Sequence, residues 1–417
     1  MILKAARRLP EGELLRHGSV MFAASLITNG LNYIYQVYMG RALGPEQYGV
    51  FGALFAIFYM IGVVSQTLST AMTNFVSKFT ADGGEIGFFV SGALKRFAVT
   101  GSAFAVLLLM GREWVASALR IGDAEPVMAL ALILFLAWVT PIGGGVLRGL
   151  KRFPALGAVN VTNASVKLAA GGVLVALGYG VTGALLGVAA GMLAALLLSI
   201  LLLLPQLGGG RGSFCFSAFY SYSLPVLVAM FCFSVPANLD VVLAKYFFSA
   251  KEAGLYTSAS VLGKIVFFFP SAIYAVMFPM VAERHARGED AQAVLRHSLM
   301  YAGVLSGFLV LLYFLFPHLV TVVFGSGYKE ALPLVAPYGL AMLLFSLSVI
   351  LLNYNLAVRN MRYVALFAGF TFTEVLLLLI FNSSPLTMVE VLLFANFALF
   401  IASLGYTLRL QADAEPE

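Results

Sequence analysis

Apolar residues recur along the chain in twelve stretches, near 18–40, 48–74, 88–110, 125–147, 156–178, 181–204, 219–244, 254–280, 298–323, 332–356, 362–381 and 387–408, with short polar breaks between them. About 20 apolar residues in a helix, at 1.5 Å per residue, cross the ~30 Å hydrocarbon core of a bilayer. The pattern predicts an all-α polytopic membrane helix bundle of about twelve transmembrane helices. The longest polar gaps, 206–217 with its Gly208-Gly209-Gly210 run and 282–297, are too short for a soluble domain.

Composition agrees with the pattern. The 417 residues are 61% hydrophobic and 11% charged, with a mean hydropathy of +0.95, whereas soluble domains carry roughly 25% charged residues. The net charge of +6 would suggest nucleic acid in a soluble protein. Here the basic residues sit in short loops and report topology instead. With the N-terminus inside, 17 Lys and Arg fall in cytoplasmic segments and 6, including Arg41, Lys245 and Lys251, in external loops. This asymmetry places both termini in the cytoplasm, with the chain in the cell (inner) membrane. The first 17 residues lack the apolar core of a signal peptide and read as a short cytoplasmic segment. Cys215 and Cys232 form no CxxC or metal spacing, so neither a metal nor a cofactor is expected.

The chain carries a weak internal repeat. Residues 41–85 align without gaps on 246–290, with Gly49-Val50-Phe51 over Gly254-Leu255-Tyr256 and further identities at Met72/Met277, Val76/Val281, Ala81/Ala286 and Gly83/Gly288. Two six-helix lobes, 1–207 and 208–417, follow. Six spans per lobe is even, so the lobes share an orientation, with the pseudo-axis along the membrane normal and the substrate expected at their seam.

Polar residues inside the spans are the candidate chemistry. Span 1 has Ser25, Asn29, Asn32 and Gln36, at spacings of 4, 3 and 4, on one helical stripe. Span 2 has Gln66, Thr70, Thr73, Asn74 and Ser77, and span 5 has Asn160, Asn163 and Lys167. Span 7 carries Ser234, Asn238 and Asp240, with Pro225 and Pro236 able to bend it, and span 8 carries Thr257, Ser260 and Lys264. Such side chains also join helices by hydrogen bonds of ~0.6 kcal/mol each, so a stripe on one span is equally read as packing. Stripes on several spans together point to a wet cavity, lined by Asn29, Asn32, Gln36, Gln66, Asn74, Asn163, Lys167, Asn238 and Lys264. Span 6 differs: Gly183, Gly187 and Gly191 at four-residue spacing predict close helix packing.

Charges discriminate more sharply. A charge at the bilayer centre costs roughly 2.5–3.5 kcal/mol, so Lys167, Lys264, Asp240 and Glu374 each need a partner or water. A Lys264–Asp240 salt bridge is the plain structural reading; Asp240 and Glu374 are the candidates for coupling to H+ or Na+. No GxxxxGK[ST], HExxH or GxSxG sequence occurs, and no clustered acid, base or nucleophile, so the chain is not expected to be an enzyme.

Three segments carry a family resemblance: Gly40-Arg41-Ala42-Leu43-Gly44-Pro45-Glu46-Gln47-Tyr48-Gly49-Val50-Phe51, Leu147-Arg148-Gly149-Leu150-Lys151-Arg152-Phe153, and Asn238-Leu239-Asp240 followed by Ala253-Gly254-Leu255-Tyr256. These resemble the polysaccharide transporter (Wzx-like) flippases of the multidrug/oligosaccharidyl-lipid/polysaccharide superfamily. The resemblance implies two lobes around a central cavity, alternating access, and a polyprenyl-diphosphate-linked oligosaccharide as substrate, moved to the outer leaflet for surface polysaccharide synthesis. Lysines in a low-dielectric lumen suit a diphosphate, and Asn and Gln suit sugar hydroxyls. Membrane lipids are the other partner, nucleic acid is not one, and a monomer is expected. The competing readings are a multidrug or organic-cation antiporter, whose lumen should be net negative, and a membrane-embedded glycosyltransferase or polymerase, which needs a large external loop. Antiporters of the superfamily often use a carboxylate in the first lobe, and the first six spans have none near a span centre.

Overall fold

The computed structural model describes residues 11–81, 86–207, 216–358, 360 and 362–412, among which the chain is helical with no strand. In order the helices are α1 (Glu11–Ala81), α2 (Gly87–Met110), α3 (Arg112–Ala118), α4 (Glu125–Gly149), α5 (Phe153–Ala176), α6 (Gly180–Leu207), α7 (Phe216–Ser234), α8 (Leu239–Phe247), α9 (Ala250–Phe268), α10 (Ser271–Ala286), α11 (Gln292–Leu315), α12 (Leu319–Phe324), a 3-10 turn (Ser326–Ala331), α13 (Leu332–Ala357), α14 (Arg362–Ile380) and α15 (Pro385–Ala412). The expected N-terminal cytoplasmic segment up to residue 10, the glycine run at 208–210 and the first repeat's ending at 82–85 lie outside the described residues.

Among the described residues, ten helical stretches are long and apolar enough to cross a membrane. The first has 63 residues, Ser19–Ala81, roughly 95 Å of helix and about three times the thickness of one hydrocarbon core. It is interrupted at Gly44 (φ 67, ψ 173), just before Pro45. Only glycine adopts that backbone without a Cβ penalty, and proline cannot continue the hydrogen-bond ladder behind it. Span 7 is broken in the opposite way, into α7 and α8 with a non-helical stretch at 235–238. Counting the two arms of α1 separately and α7–α8 as one span gives the twelve expected spans of a multi-pass membrane protein.

Helix directions follow from side-chain contacts. Ser65, Thr73 and Ser77 hydroxyls donate to the carbonyls of Ala137, Gly145 and Gly149 at 2.5, 3.2 and 3.2 Å, each partner 72 residues further on. A constant offset means that the second arm of α1 and α4 run the same way. Gly145 and Gly149 allow this approach; a Cβ at Gly145 would stand 2.6 Å from Met72 Cβ and 2.7 Å from the Ser69 carbonyl oxygen. The first arm of α1 and α5 are parallel too, through Asn32–Lys167 and Tyr38–Gly172, offset by 135 and 134 residues. By contrast α5 and α6 are antiparallel: Gly187 packs on Gly171, and Gly191 on Asn163 and Lys167. The glycine stripe of span 6 is therefore a close-packing face, as its spacing predicts.

The same scheme recurs in the second half. Ser260 meets Tyr338 and Phe267 stacks on Phe345, both 78 residues apart, so α9 and α13 are parallel. Tyr313 and Ser306 hydroxyls donate to the carbonyls of Leu262 and Val266, so α9 and α11 are antiparallel.

The chain packs as two compact units, Met1–Ala42 with Phe58–Phe231, and Leu43–Ile57 with Cys232–Glu417. In the first unit Phe216 and Phe219 enter an aromatic core with Phe89 and Phe97. In the second, the segment 43–57 is seated on α9. A Cβ on Gly49 would collide with the Ala250 carbonyl oxygen and stand 2.7 Å from Gly254 N; a Cβ on Gly254 would collide with the Pro45 carbonyl oxygen and stand 3.1 Å from Gly49 N. Pro45 aligns with Ala250, and Gly49 with Gly254, so the contact is reciprocal between repeat-equivalent positions. Tyr48 completes it among Phe51, Phe324 and Tyr328.

Candidate functional site

The second unit holds a buried carboxylate site at the break in span 7. Pro236 has no N–H to donate, and α7 ends at Ser234. The exposed helix end is closed by Asn238, whose Nδ2 donates to the Ser234 carbonyl oxygen at 3.0 Å. Asn238 Oδ1 is thereby turned outward and accepts from Lys264 Nζ at 3.3 Å. Asp240 follows in the first turn of α8, where the helix dipole favours a negative charge. It is 1% exposed. Its Oδ2 accepts from the hydroxyls of Tyr338 (2.6 Å) and Tyr256 (3.0 Å), and Tyr338 also pairs with Ser260 Oγ at 2.9 Å. The Tyr338 ring has room because residue 263 is glycine: a Cβ there would collide with it.

Glu374, on the buried face of α14, is within electrostatic range of Asp240, Tyr256 and Tyr338. Asp240 Oδ1 and Glu374 Oε1 are both buried without a hydrogen-bond partner. The simple Lys264–Asp240 salt bridge is not made. Arg112–Glu113, Lys251–Glu330 and Arg287–Glu283 are ion pairs at exposed side chains. Two carboxyl groups with one free oxygen each, beside tyrosine hydroxyls, can take up and release a small cation.

The first unit holds the matching lysine. Lys167 Nζ donates to Asn32 Oδ1 and lies 4.8 Å from the centre of the Tyr35 ring. Tyr35 is itself fixed by its hydroxyl, which donates to the Ala184 carbonyl oxygen at 2.6 Å. Gln36, one step along the stripe, hydrogen-bonds Tyr59. Asn163 backs the lysine from one turn before, with its carbonyl against Gly191. Each unit therefore has an intramembrane lysine hydrogen-bonded to the amide oxygen of an asparagine: Lys167 on Asn32, Lys264 on Asn238.

The other candidates are not gathered into these two clusters. Asn29 and Gln66 are exposed on α1. Asn74 is partly buried, its Oδ1 without a hydrogen-bond partner. The stripe on span 2 is divided, since Thr73 and Ser77 serve the contact with α4. Lys245, counted from sequence among the external-loop residues, lies in the last turn of α8 and is 1% exposed. Sequence reasoning passed over Tyr256, Tyr338 and Tyr35 as site residues; a tyrosine in an apolar span is a polar tip on an apolar body, and that signal was present. Gly263→Ala is expected to push the Tyr338 ring aside and remove its bond to Asp240. Loss of the Tyr338 hydroxyl effect in a Tyr338→Phe/Gly263→Ala cycle, measured by thermal unfolding, checks this; additive losses would refute it.

Twelve spans, with a broken seventh span carrying a carboxylate, define a multi-pass membrane helix bundle. A multidrug resistance MATE family transporter of the MOP superfamily, in an inward-facing conformation, superposes with a TM-score of 0.79 at 13% identity, covering 95% of this chain and 99% of that one. Lipid II flippase MurJ superposes with a TM-score of 0.76 at 13% identity, covering 93% and 87%. The chain belongs to the polysaccharide biosynthesis protein family, which it matches over residues 14–285. It is also similar to a probable low-salt glycan biosynthesis flippase, Agl15 of Haloferax volcanii, 24% identical over 285 residues. That match covers 67% of this chain and 58% of the relative's length.

Proposed function

We propose that the protein is a flippase that moves a polyprenyl-diphosphate-linked oligosaccharide from the cytoplasmic to the outer leaflet by alternating access, without catalysing a reaction. The observation that carries the reading is the pair of lysines inside the membrane-spanning helices, each hydrogen-bonded to a neutral amide oxygen. The asparagine oxygen orients the ammonium, and its attraction for a diphosphate is strong where the dielectric is low. Family membership and the likeness to a named glycan flippase support the sugar branch. The sugar-diphosphate head is bound by Lys167 and Lys264, with Asn29, Asn32, Gln36, Gln66, Asn74, Asn163 and Asn238 serving hydroxyls, while the lipid tail stays in the bilayer.

Asp240 and Glu374 couple the cycle to H+ or Na+. The six-helix repeats are 1–207 and 208–417, both termini are cytoplasmic, the protein works as a monomer in the cell membrane, and an inside-negative potential assists outward movement of anionic cargo by ~2.3 kcal/mol per charge per 100 mV.

The test is a flipping assay in proteoliposomes with a fluorescent polyprenyl-diphosphate sugar. Lys167→Ala and Lys264→Ala are each expected to slow flipping at least ~10-fold, about 1.4 kcal/mol, with Arg partly restoring it. Transport of cationic dyes with no flipping of the lipid-linked sugar would establish the antiporter reading instead.

A further inference from the structure

Six buried side-chain oxygens of the second unit, among the described residues, lack a well-formed hydrogen bond to the rest of the protein: Ser346 Oγ, Asn396 Oδ1, Glu374 Oε1 and Asp240 Oδ1, and Tyr363 Oη and Ser403 Oγ, whose side chains meet each other. We propose that these six mark a hydrated file between α13, α14 and α15 that carries protons from the 358–362 end of these helices to Glu374 and Asp240. The inference rests on the proposed ion coupling for its purpose, but its physical content, water inside this part of the fold, does not depend on it.

The positions form a row. On α14 the buried residues are Tyr363, Phe367, Thr371, Glu374 and Leu378, one stripe at spacings of three and four. Asn396, Ser403 and Thr407 share the matching face of α15, at spacings of seven and four. Asn355 Nδ2 donates to Thr407 Oγ1 at 2.9 Å, which fixes the level of α13 against α15. The Tyr363 ring lies 5.8 Å from that of Tyr406 and its hydroxyl lies beside Ser403, which fixes α14.

From the Asn355–Thr407 level, a rise of 1.5 Å per residue puts Ser403 about 6 Å along, Ser346 about 13 Å and Asn396 about 16 Å, with Glu374 following. Axial steps of roughly 3–8 Å are of the length that one or two waters span at hydrogen-bond distance. The near end is polar as well: Asn360 Nδ2 donates to Asn355 Oδ1 (3.0 Å) and Tyr406 donates to Asn360 Oδ1 (3.4 Å).

Buried polar groups are rarely orphaned in native proteins, and buried water satisfies those the protein does not. All six residues are at most 3% exposed, so the row is no surface feature. The cargo suited to it is a proton. Single hydroxyl and amide oxygens a few ångströms apart can order a chain of water, while a bare metal cation needs a ring of oxygens at each step to replace its hydration shell. A proton entering from bulk water passes along the chain and ends on a carboxylate oxygen of Glu374 or Asp240; the reverse passage returns that carboxyl group to its anion. Lys264, Tyr256 and Tyr338 are the titratable groups facing this end.

Single cysteines test the file in the full-length protein, in membrane vesicles turned cytoplasmic side out and with Cys215 and Cys232 replaced by serine. Ser346→Cys and Ser403→Cys change one atom each and preserve the packing. Both are expected to react with the water-soluble reagent methanethiosulfonate-ethylammonium at least tenfold faster than Val349→Cys and Leu399→Cys, which are equally buried on the same helices. Rates equal to those controls overturn the proposal. As a check on the unaltered chain, hydroxyl-radical footprinting should oxidise Tyr363 well above Tyr48, which is as deeply buried; equal oxidation also overturns it. A protein that labels in this pattern but flips no lipid-linked sugar retains the file and loses the flippase reading.

Discussion

Gly254→Ala is expected to lower the melting temperature of the purified protein and to abolish transport, whereas Gly303→Ala should leave transport unchanged and raise the melting temperature slightly. The new methyl at 254 points at the Pro45 carbonyl oxygen, which belongs to backbone and has no rotamer to escape into. Overpacking of this kind costs about 1–3 kcal/mol when the surroundings can shift, and here the surroundings are the interrupted turn at Gly44 and Pro45. Gly303, on α11, has open space beyond its Cα, so alanine there gains up to ~1 kcal/mol of helix propensity. Because the contact is reciprocal, Gly49→Ala should be as damaging as Gly254→Ala. The double variant should lose less than the sum, since both break one contact. Differential scanning fluorimetry in detergent and a flipping assay check all four; a Gly254→Ala protein as stable as Gly303→Ala would show that 43–57 is not seated where the structure places it.

That contact also shows what the sequence disclosed. The weak repeat put Gly49 over Gly254, but nothing in an alignment says that equivalent residues touch. Twelve spans were legible because hydrophobic length is a direct consequence of bilayer thickness. The glycine stripe of span 6 was legible because only a close neighbour explains small residues at every fourth place. The fate of the polar stripes was not. Thr73 and Gln66 look alike as polar residues on span 2, and only the position of α4 makes the first a helix joint. In the same way Asp240 was found from its charge, yet its partners Tyr256 and Tyr338 lie 16 and 98 residues away, and lysine rather than tyrosine was the partner that charge alone suggested. Pro236 signalled a bend; that the bend would be a full break depends on how Asn238 closes the end of α7.

Asp240→Asn is expected to leave the fold intact and to remove the response of transport to an imposed ion gradient. The amide oxygen can accept from both tyrosine hydroxyls as the carboxylate does, so unfolding should change by less than about 1 kcal/mol. The charge is gone, and with it the capacity to bind a cation at the orphan oxygen. Asp240→Leu is a different lesion. It leaves the Tyr256 hydroxyl without its acceptor, at a cost of ~1–3 kcal/mol, while Tyr338 retains Ser260. The two variants therefore separate structure from coupling: both should be uncoupled, and only leucine destabilised. Flipping rates in proteoliposomes with and without a proton or sodium gradient decide the matter. An Asp240→Asn protein that still accelerates under the same gradient as the unaltered chain would remove Asp240 from the coupling machinery.

The reciprocal seating of Pro45 on Gly254 and of Ala250 on Gly49 has the form of an isologous contact, in which position i of one copy meets position j of the other and the reverse. Such contacts arise between identical subunits related by a two-fold axis. A six-helix ancestor pairing with its own copy would make this contact twice over with one glycine, and any change there would strike both sides at once. Were two such copies joined in one chain, the rest of each half would be free to diverge. The glycines would not, because each answers to a backbone encoded some two hundred residues away.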